Sequence, residues 1–531
     1  MSVRRVMGTE IEYAISLSSG KPYDPVRLSF DLVNAAAADQ RRHIRWDYRQ
    51  EDPVNDARGH RLDRASARPD MLTDEPQRLV TNTIAANGGR IYVDHAHPEY
   101  SAPESHDPFE ALLFDRAGDV LMQQAAQAAA NADGNGIALF RNNVDGKGAS
   151  WGSHENYMML RSVPFERVAQ VLALHFVSRQ IYTGSGRVGI GERSEIDGFQ
   201  LSQRADYFHT TIGLQTTFDR PIVNTRDESH STPQYRRVHC IAGDANLMDV
   251  PEILKLGTTS MLLWMLEAAQ DGPHAQNINE NIQKLSLADP VEAMHVVSHD
   301  LSFTAMLPLE NGGHSTALEV QRALMRLVEE TGSVVYGNDE CGKPHWPDTA
   351  TGRVMAMWNQ ALADIARVQH SDDEARLRMR DEAGRLEWLF KWQLLEGLRR
   401  KFGASWSDSR LKAFDVQWAA LDPQRSIFHR IQAKTTMLCS NEDVVHACMH
   451  APESNRAWLR AELVRRFAED VIAVSWTHIA VRDDQSAQGI IELDMTDPLA
   501  GVDNESVLAA LNASHTGAQA LRKITDIIAG Q

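Results

Sequence analysis

The sequence of 531 residues has little cysteine and no cysteine pairing pattern. Cys240, Cys341, Cys439 and Cys448 include no CxxC pair, so we expect neither a zinc site nor a disulfide framework. No apolar run approaches the roughly 20 residues that a membrane-spanning helix needs. The first residues, MSVRRVMGTEIEYAIS, carry acids where a signal peptide has its apolar centre. These absences favour a cytoplasmic protein that does not depend on a membrane.

Positive charge is also scarce. The 54 lysines and arginines are outnumbered by 72 aspartates and glutamates, which gives a formal net charge of −18. Proteins that bind nucleic acid usually carry a basic surface, so we expect no nucleic-acid partner. An anionic ligand would have to meet a local cluster of arginines. The P-loop pattern GxxxxGK[ST] is absent, and we interpret the glycine-rich stretch at 183–191 as a loop, with substrate contact as the alternative.

Hydrophobic periodicity predicts an α+β protein with a largely antiparallel sheet and helices segregated from it. The length suits one large domain and a smaller one. The predicted strands lie at 3–16, 136–143, 154–161, 207–217, 234–243 and 471–482. The predicted helices lie at 26–39, 107–131, 164–181, 251–270, 316–331, 352–369, 374–401, 456–470 and 505–529.

A long stretch at 41–80 is dense in arginine and aspartate and is broken by prolines and a glycine. Its weak periodicity predicts a mobile insertion loop, anchored at its start by Ile44, Trp46 and Tyr48. Loops of this length in compact domains are often lids or binding loops, although a tolerated surface insertion is the alternative.

Four short segments share one pattern, with apolar residues on one face and polar residues on the other. Residues i and i+2 of a strand share a face. The polar faces are Glu10 and Glu12; Arg90, Tyr92 and Asp94; His154 and Asn156; and Arg237 and His239. Each face alone is also typical of a solvated strand. If the four strands are neighbours, however, these faces form one concave wall, and the turn after Asp94 adds Glu99.

Such a wall predicts a metal and nucleotide site. Carboxylates that face each other are costly unless a cation lies among them, and oxygen ligands favour Mg²⁺. The histidines would also allow Mn²⁺ or Zn²⁺. Arg90 and Arg237 suit a polyphosphate bridged to the metal. Asp94 is a candidate nucleophile or general base. We expect His95 and His97, which flank the turn before Pro98, to be structural.

Seven motifs in the first half of the chain occur in a family-specific order: GTEIEY, YVDHAHPEYSAPE, RNNVDGKGASWGSHENY, GSGRVGIG, FQLSQRADY, NTRDE and YRRVHCIAGDANL. A looser match continues through SWSDSRLKAFDVQW. Together they resemble the family of ligases and depupylases that act on Pup, the prokaryotic ubiquitin-like protein. Within that family they resemble the deamidase/depupylase branch.

The resemblance implies a glutamine-synthetase-like fold with bound ATP, or ADP with phosphate, and Mg²⁺. It implies a large domain over 1–430 with a mainly antiparallel curved sheet, and a small C-terminal α/β domain over 431–531. The implied metal ligands are Glu10, Tyr92, Glu99, His154 and His239. The implied nucleotide contacts are Gly8, Thr9, Glu10, Ile11, Glu12, Arg90, Ser101, Ala102, Asn156 and Arg237. Asp94 matches the catalytic aspartate of the family.

The spacing ahead of Asp94 separates the two branches. In the ligases this aspartate lies nearer to the first glutamate, and the run resembles YLDVGSHPE. Here 84 positions separate Glu10 from Asp94, and the run reads DHAHPE. The extra length is the 41–80 stretch, which favours a hydrolase, with a Pup–protein ligase as the alternative.

The resemblance thus implies two reactions at one carbonyl. One is hydrolysis of the isopeptide bond between the C-terminal Glu of Pup and a substrate lysine, and the other is deamidation of a C-terminal Gln of Pup. The partners would be Pup and pupylated proteins. Arg187, Arg204 and Arg226 are candidates for the Pup-binding groove. Trp476 is expected to be a core tryptophan, with an approach to the nucleotide as the alternative.

Overall fold

A six-stranded antiparallel sheet carries the polar segments singled out above. The structure is a computed structural model that describes residues 4–37, 41–68, 72, 81–133, 136–189, 197–499 and 504–529. The strands are β1 (Met7–Glu12), β2 (Ala14–Leu17), β3 (Arg45–Trp46), β4 (Asn55–Asp56), β5 (His60–Arg61), β6 (Asn82–Ile84), β7 (Arg90–Asp94), β8 (His97–Ser101), β9 (Ile137–Phe140), β10 (Ser153–Leu160), β11 (Arg187–Gly189), β12 (Gly198–Gln200), β13 (Phe208–Gly213), β14 (Arg220–Asn224), β15 (Tyr235–Cys240), β16 (Leu307–Pro308), β17 (His314–Ser315), β18 (Val471–Val474), β19 (His478–Arg482) and β20 (Ile490–Asp494).

The helices surround this sheet and fill the middle of the chain. They are α1 (Pro25–Ala36), α2 (Pro108–Asp133), α3 (Phe165–Thr183), α4 (Asp249–Ala268), α5 (Gly272–Leu285), α6 (Pro290–His299), α7 (Ala317–Tyr336), α8 (Thr349–Gln369), α9 (Asp373–Arg376), α10 (Arg380–Ala383), α11 (Glu387–Phe402), α12 (Ser409–Trp418), α13 (Ile427–Ile431), α14 (Asn441–Met449), α15 (Arg456–Arg466), α16 (Asn504–Asn512) and α17 (Gly517–Ala529). None of the described helices is both long enough and apolar enough to cross a membrane.

Local sequence signals start several of these helices. Asp24 caps α1 by accepting hydrogen bonds from two backbone amides, and a proline occupies the first turn. Thr316 and Glu319 form a reciprocal capping box at the start of α7. Such caps satisfy amides that have no partner within the helix, so the helices begin close to where the sequence predicts.

The strand order of the main sheet is β15–β10–β1–β8–β7–β6. Glu10 lies opposite His154 on one side and Ser101 on the other, and Glu12 lies opposite Glu99. Tyr92 also lies opposite Glu99, while Asn156 lies opposite His239. Because directly paired residues point to the same face of a sheet, the four polar faces predicted from period two form one surface.

The opposite face of the sheet packs against helices. Met7, Tyr157 and Val238 belong to the same buried cluster as the cores of α3, α4, α7 and α8. Ile11 and Ile91 instead join a cluster with α1 and α2. Burying this face fixes the register, since a slip of one residue would turn the polar set into the core.

A second sheet lies near the C-terminus, with the order β20–β19–β18–β3. Its last strand comes from the 41–80 stretch, and β3 runs parallel to β18. Ile44 and Trp46 are buried in the same core as Leu463, Val481 and Leu521. Helix α14 instead packs Ala447 and Cys448 into the cluster with α2. The boundary at 430/431 stays a prediction, but the small sheet takes one strand from outside 431–531.

Several predicted elements differ from the structure. The described part of the 41–80 stretch, 41–68 and 72, contains β3, the 3₁₀ turn Tyr48–Gln50 and the β4–β5 hairpin. These residues thus form short elements, and Ile44 and Trp46 bury their side chains as the predicted anchors, while the mobility of the stretch stays a prediction. Residues 69–71 and 73–80 lie outside the described residues.

Four predicted elements are divided, and the first is the strand at 3–16, which forms β1 and β2. The helix at 374–401 forms α9, α10 and α11, and the helix at 505–529 forms α16 and α17. The predicted strand at 471–482 is the β18–β19 hairpin. Part of the glycine stretch forms β11, paired with β12, while Ile190 and Gly191 lie outside the described residues.

Candidate active site

The polar face of the main sheet opens into a cavity of about 420 Å³. The strands bring ten predicted site residues to its wall: Glu10, Glu12, Arg90, Tyr92, Asp94, Glu99, Ser101, His154, Arg237 and His239. The loops before β10, β14 and β15 supply further lining, and so do the 41–80 stretch, Arg204 and Trp476. Alternation along the strands therefore builds a concave, strongly polar site.

A smaller cavity of about 100 Å³ adjoins the first. Its wall includes four of the remaining predicted nucleotide contacts, which are Gly8, Thr9, Ala102 and Asn156. One predicted contact, Ile11, lines neither cavity. The two cavities share Glu10, Ser101, His230, Arg237 and Trp476. A long ligand could thus lie in both, with one end among apolar side chains and the other among the acids.

Ile11 is the exception, because its side chain points away from both cavities; a contact through its backbone stays a prediction. Ile11 is 1% exposed and packs in the core behind the sheet. The physical reason is the alternation itself, because Ile11 lies between two residues that face the cavity.

The first group of possible metal ligands is Glu10, His154 and His239. One donor atom from each lies within 4.8 Å of the others. His154 Nδ1 lies 3.3 Å from Glu10 Oε2. Asn156 donates to Glu10 Oε1 at 3.0 Å and accepts from His239 Nδ1 at 3.0 Å, so this amide orients both ligands. The pairing leaves His239 Nε2 as the free acceptor.

Electrostatics prepares this group for a cation. Burial lowers the pKa of His239 well below its ordinary value, helped by the charge of Arg237, so the ring is neutral at pH 7. Burial alone would raise the pKa of Glu10, but the hydrogen bond from His154 and the nearby cationic groups lower it. The group therefore offers one carboxylate and a neutral imidazole, the protonation states that bind metals.

The second group is Glu12, Asp94 and Glu99, whose oxygens also lie within 4.8 Å of one another. Burial and the charges of Asp94 and Glu12 raise the pKa of Glu99 well above its ordinary range. Burial also tends to raise the pKa of Asp94, but its hydrogen bond with His95, at 3.1 Å, lowers it. Besides burial, the negative charges of Asp94 and Glu12 contribute to the raised pKa of Glu99. A divalent cation bound among the three carboxylates would offset this repulsion.

His154 joins the two groups, since its Nε2 lies 3.9 Å from Glu12 Oε1. Carboxylates and imidazoles of this kind fit Mg²⁺ or Mn²⁺. The Tyr92 hydroxyl lies between the groups and Ser101, whose Oγ donates to it at 3.4 Å. Burial and Glu99 raise the pKa of Tyr92, so the hydroxyl is neutral. Its role as a ligand stays a prediction.

Arg90 lines the main cavity but is held by several partners. Its Cζ lies 4.0 Å from the ring centroid of Trp46 and 4.1 Å from that of Tyr92. It donates to Asn82 at 2.6 Å and to Glu51 at 3.3 Å. Trp46 and Glu51 belong to the 41–80 stretch, so Arg90 connects that stretch to the site.

Arg237 lies where the two cavities meet. It donates to Asn156 at 2.9 Å and to Glu228 at 2.9 Å, and its Nη1 lies 3.7 Å from Glu10 Oε1. Its Nε is buried and has no acceptor among the residues that the structure describes. A donor of this kind fits an anionic ligand.

Of the three arginines proposed to bind Pup, Arg187 is 2% exposed and lines neither cavity, so its prediction as a groove residue is wrong. The other two, Arg204 and Arg226, line the main cavity, and their contact with Pup stays a prediction. Sequence alone could not show this, because an arginine in a loop has no periodicity that reports its direction.

Trp476 was expected in the core, yet it is half-buried and lines both cavities. Its ring contacts Trp46 edge-on, with centroids 5.2 Å apart. Sequence reasoning also missed Glu228 and His230, which line the cavity from the loop before β15. The quoted motif NTRDE was the one signal that pointed to Glu228.

The two histidines of the turn, His95 and His97, both contact neighbouring protein groups, and their structural role stays a prediction. His97 stacks on Trp151, with ring centroids 4.7 Å apart, and its Nδ1 lies 3.1 Å from the carbonyl oxygen of Tyr13. His95 adopts the left-handed backbone conformation with φ +52° and contacts Asp94. These contacts fit a role in supporting the turn that presents Asp94.

Comparison with known proteins agrees with the geometry. A family model described as "Pup-ligase protein" matches residues 5–480. A Pup deamidase/depupylase of Mycolicibacterium smegmatis is 38% identical over 99% of this chain and 100% of its own length. A Pup–protein ligase of Micrococcus luteus is 34% identical over 76% of this chain and 84% of its own.

Two solved structures show the same fold. The complex of Pup with its ligase PafA matches with a TM-score of 0.73 and 23% identity, over 99% of this chain and 93% of that chain. The ligase PafA in complex with ADP matches with a TM-score of 0.68 and 25% identity, over 85% and 91%. The expected glutamine-synthetase-like α+β fold is thereby confirmed. With a family model that spans nearly the whole sequence and a site built from its motifs, the chain belongs to the Pup-ligase family.

Proposed function

We propose that this protein is a Pup deamidase and depupylase. It hydrolyses the isopeptide bond between the C-terminal Glu of Pup and a substrate lysine, and it deamidates a C-terminal Gln of Pup. The observation that carries the proposal is the likeness to a Pup deamidase/depupylase over 99% of this chain. The likeness to a Pup–protein ligase is lower in identity and covers 76% of the chain.

The segment ahead of Asp94 supports the hydrolase over the ligase. The resemblance assigns the extra length between Glu10 and Asp94 to the depupylase branch, and 41–68 is built into the site. Trp46 and Glu51 contact Arg90, and the backbone amide of Asp52 donates to Glu228 at 2.7 Å.

A bound nucleotide with Mg²⁺ is part of the proposal. Glu10, His154 and His239, together with Glu99 and Tyr92, would hold the metal. The smaller cavity would take the base beside Trp476, and Arg237 would bind phosphate. A ligase of similar fold was solved with ADP, which supports nucleotide binding here. When bound, the metal would supply positive charge that stabilises a developing oxyanion, worth about 3 kcal/mol per good donor.

Asp94 is the proposed catalytic group, acting as nucleophile or as base. Its carboxylate lies in the main cavity, and the hydrogen bond with His95 favours the ionised form. In either role the γ-carbonyl carbon of the Pup residue gains an oxygen from water overall, and its bond to nitrogen breaks. The nitrogen leaves as the lysine amine or as ammonia, and it takes a proton from that water. Amide hydrolysis needs no energy input, so we propose that the nucleotide is not consumed in each cycle.

Pup and pupylated proteins are the proposed partners, in a cytoplasmic setting. The net charge of −18 gives no general attraction to an acidic partner. Recognition therefore has to rely on apolar contact and on local cations. Arg204 and Arg226 lie inside the main cavity, so they would meet the C-terminal end of Pup rather than its body.

The test supplies the protein with Mg²⁺, ATP and a purified Pup conjugate, and follows it by gel and mass spectrometry. A parallel reaction contains free Pup ending in Glu and an unmodified substrate. We expect release of Pup from the conjugate and no new conjugate in the parallel reaction. ATP-dependent conjugation without cleavage would show a ligase and overturn the proposal.

A further inference from the structure

The carboxylate of Glu228 joins three parts of the chain. Its Oε2 accepts from Arg237 Nη2 at 2.9 Å and lies 3.4 Å from Arg226 Nε. Its Oε1 accepts from the backbone amide of Asp52 at 2.7 Å. Glu228 is 7% exposed, so these charge-assisted bonds lie largely out of water.

Two adjacent residues of the 41–68 segment, Glu51 and Asp52, contact groups that lie near opposite edges of the sheet. The Glu51 side chain accepts from Arg90 on β7, and the Asp52 amide donates to Glu228, which holds Arg237 on β15. In the strand order, β15 is one edge and β7 lies next to the other. The segment therefore lies over the polar face of the sheet, where side chains from near both edges reach it.

We propose that Glu228 is a positioning residue that fixes Arg237 for the phosphate of the bound nucleotide. This inference rests on the proposed function, because it assumes a nucleotide at the boundary of the two cavities. Arg237 there has a buried Nε without an acceptor among the described residues. Its Nη1 donates to Asn156 and its Nη2 donates to Glu228. These two hydrogen bonds fix the plane of the guanidinium and therefore the direction of Nε.

Glu228 also keeps Arg237 away from a metal ligand. Arg237 Nη1 lies 3.7 Å from Glu10 Oε1, close enough for an ion pair. Without the Glu228 carboxylate, the guanidinium would shift its pairing to Glu10, which the metal needs. Loss of Glu228 would therefore weaken nucleotide and metal binding together, through the change at Arg237.

The test measures the affinity for Mg-ADP by calorimetry in wild type, Glu228→Gln, Arg237→Gln and the double variant. We expect Glu228→Gln to weaken binding about ten-fold, the size of one lost charge-assisted hydrogen bond. In the Arg237→Gln background the same change should have no further effect, because Glu228 acts through Arg237. At saturating nucleotide, the kcat of Glu228→Gln for conjugate cleavage should return to the wild-type value. The substitution would then raise only the nucleotide concentration needed for half-maximal activity.

Asp227→Asn is the matched control. Asp227 is the adjacent carboxylate, but it pairs with Arg161 and lies outside the lining of both cavities. We expect it to leave the affinity for Mg-ADP unchanged. Glu228→Asp keeps the negative charge on a shorter side chain, so it should bind Mg-ADP more tightly than Glu228→Gln. It replaces Glu228→Gln in the test if that variant does not fold.

The outcomes separate the two claims. Wild-type affinity in both Glu228 variants, or losses that simply add in the double variant, would overturn the positioning role alone. A wild-type protein that does not bind Mg-ADP would overturn the nucleotide part of the proposed function and this inference with it.

Discussion

Glu10 of β1 lies directly opposite His154 of β10, and their side chains meet at 3.3 Å. This pair is the centre of the site, because Asn156 and His239 extend it along the sheet and Glu12 links it to the second group of acids. A cross-strand pair is set by register, so the fold itself positions these candidate metal ligands.

Replacing Glu10 by Gln should raise the Mg²⁺ concentration needed for half-maximal activity. The change removes the carboxylate of the first group but keeps its shape, and ligand loss typically costs ten-fold or more in metal affinity. Titration with Mg²⁺, or with Mn²⁺ followed by paramagnetic resonance, measures the shift. Glu280→Gln, an exposed carboxylate on α5, is the control. An equal response of the two variants would remove Glu10 from the metal site.

Stability should depend on pH through Glu104, which pairs with Arg456 and Arg460 of α15. Burial alone would raise the pKa of Glu104, but the two arginines lower it from 4.5 to about 2. A lowered pKa in the folded state means that the stabilisation is complete above about pH 4.5 and is lost as the pH falls toward 2. The shift corresponds to about 3 kcal/mol.

Urea unfolding of wild type and Glu104→Gln measures this effect. The difference in the free energy of unfolding should be largest at pH 7 and shrink as the pH falls below 4.5. A difference that does not change with pH would show that the loss is one of packing rather than of charge.

Replacing Trp46 by Ala should destabilise the protein by roughly 3–5 kcal/mol, as for other buried tryptophans. Trp46 is 7% exposed, lies in the core of the second sheet and covers Arg90. Tyr23→Ala, at a side chain that is 44% exposed, should change stability little. If the two variants unfold at the same urea concentration, residues 41–68 are not part of the folded core.

The main features of the site could be predicted from sequence because strands obey a simple rule. Period two assigned Glu10, Tyr92, His154 and His239 to polar faces, and the register then placed those faces side by side. The same rule turns the Ile11 side chain into the core, so that only the backbone of this residue is left to meet a ligand.

Residues distant in sequence could not be placed in this way. Trp476 reaches the site because β18 pairs with β3, and that pairing brings the C-terminal sheet to the cavity. Glu228 lies in a loop, where no periodicity gives the direction of a side chain. Arg187 looked like a surface arginine by residue type, yet it is buried in β11. Tertiary packing, rather than local pattern, decides all three positions.

The most direct test of the central claim compares wild type with Asp94→Asn on a Pup conjugate and on Pup ending in Gln. Asp271→Asn, an exposed carboxylate at the start of α5, is the matched control. With Mg²⁺ and nucleotide present, wild type and control should cleave the conjugate and deamidate Pup. Asp94→Asn should lose both activities together by at least about 10³-fold, the scale for loss of a central catalytic group. Cleavage or deamidation that survives in Asp94→Asn would contradict the account.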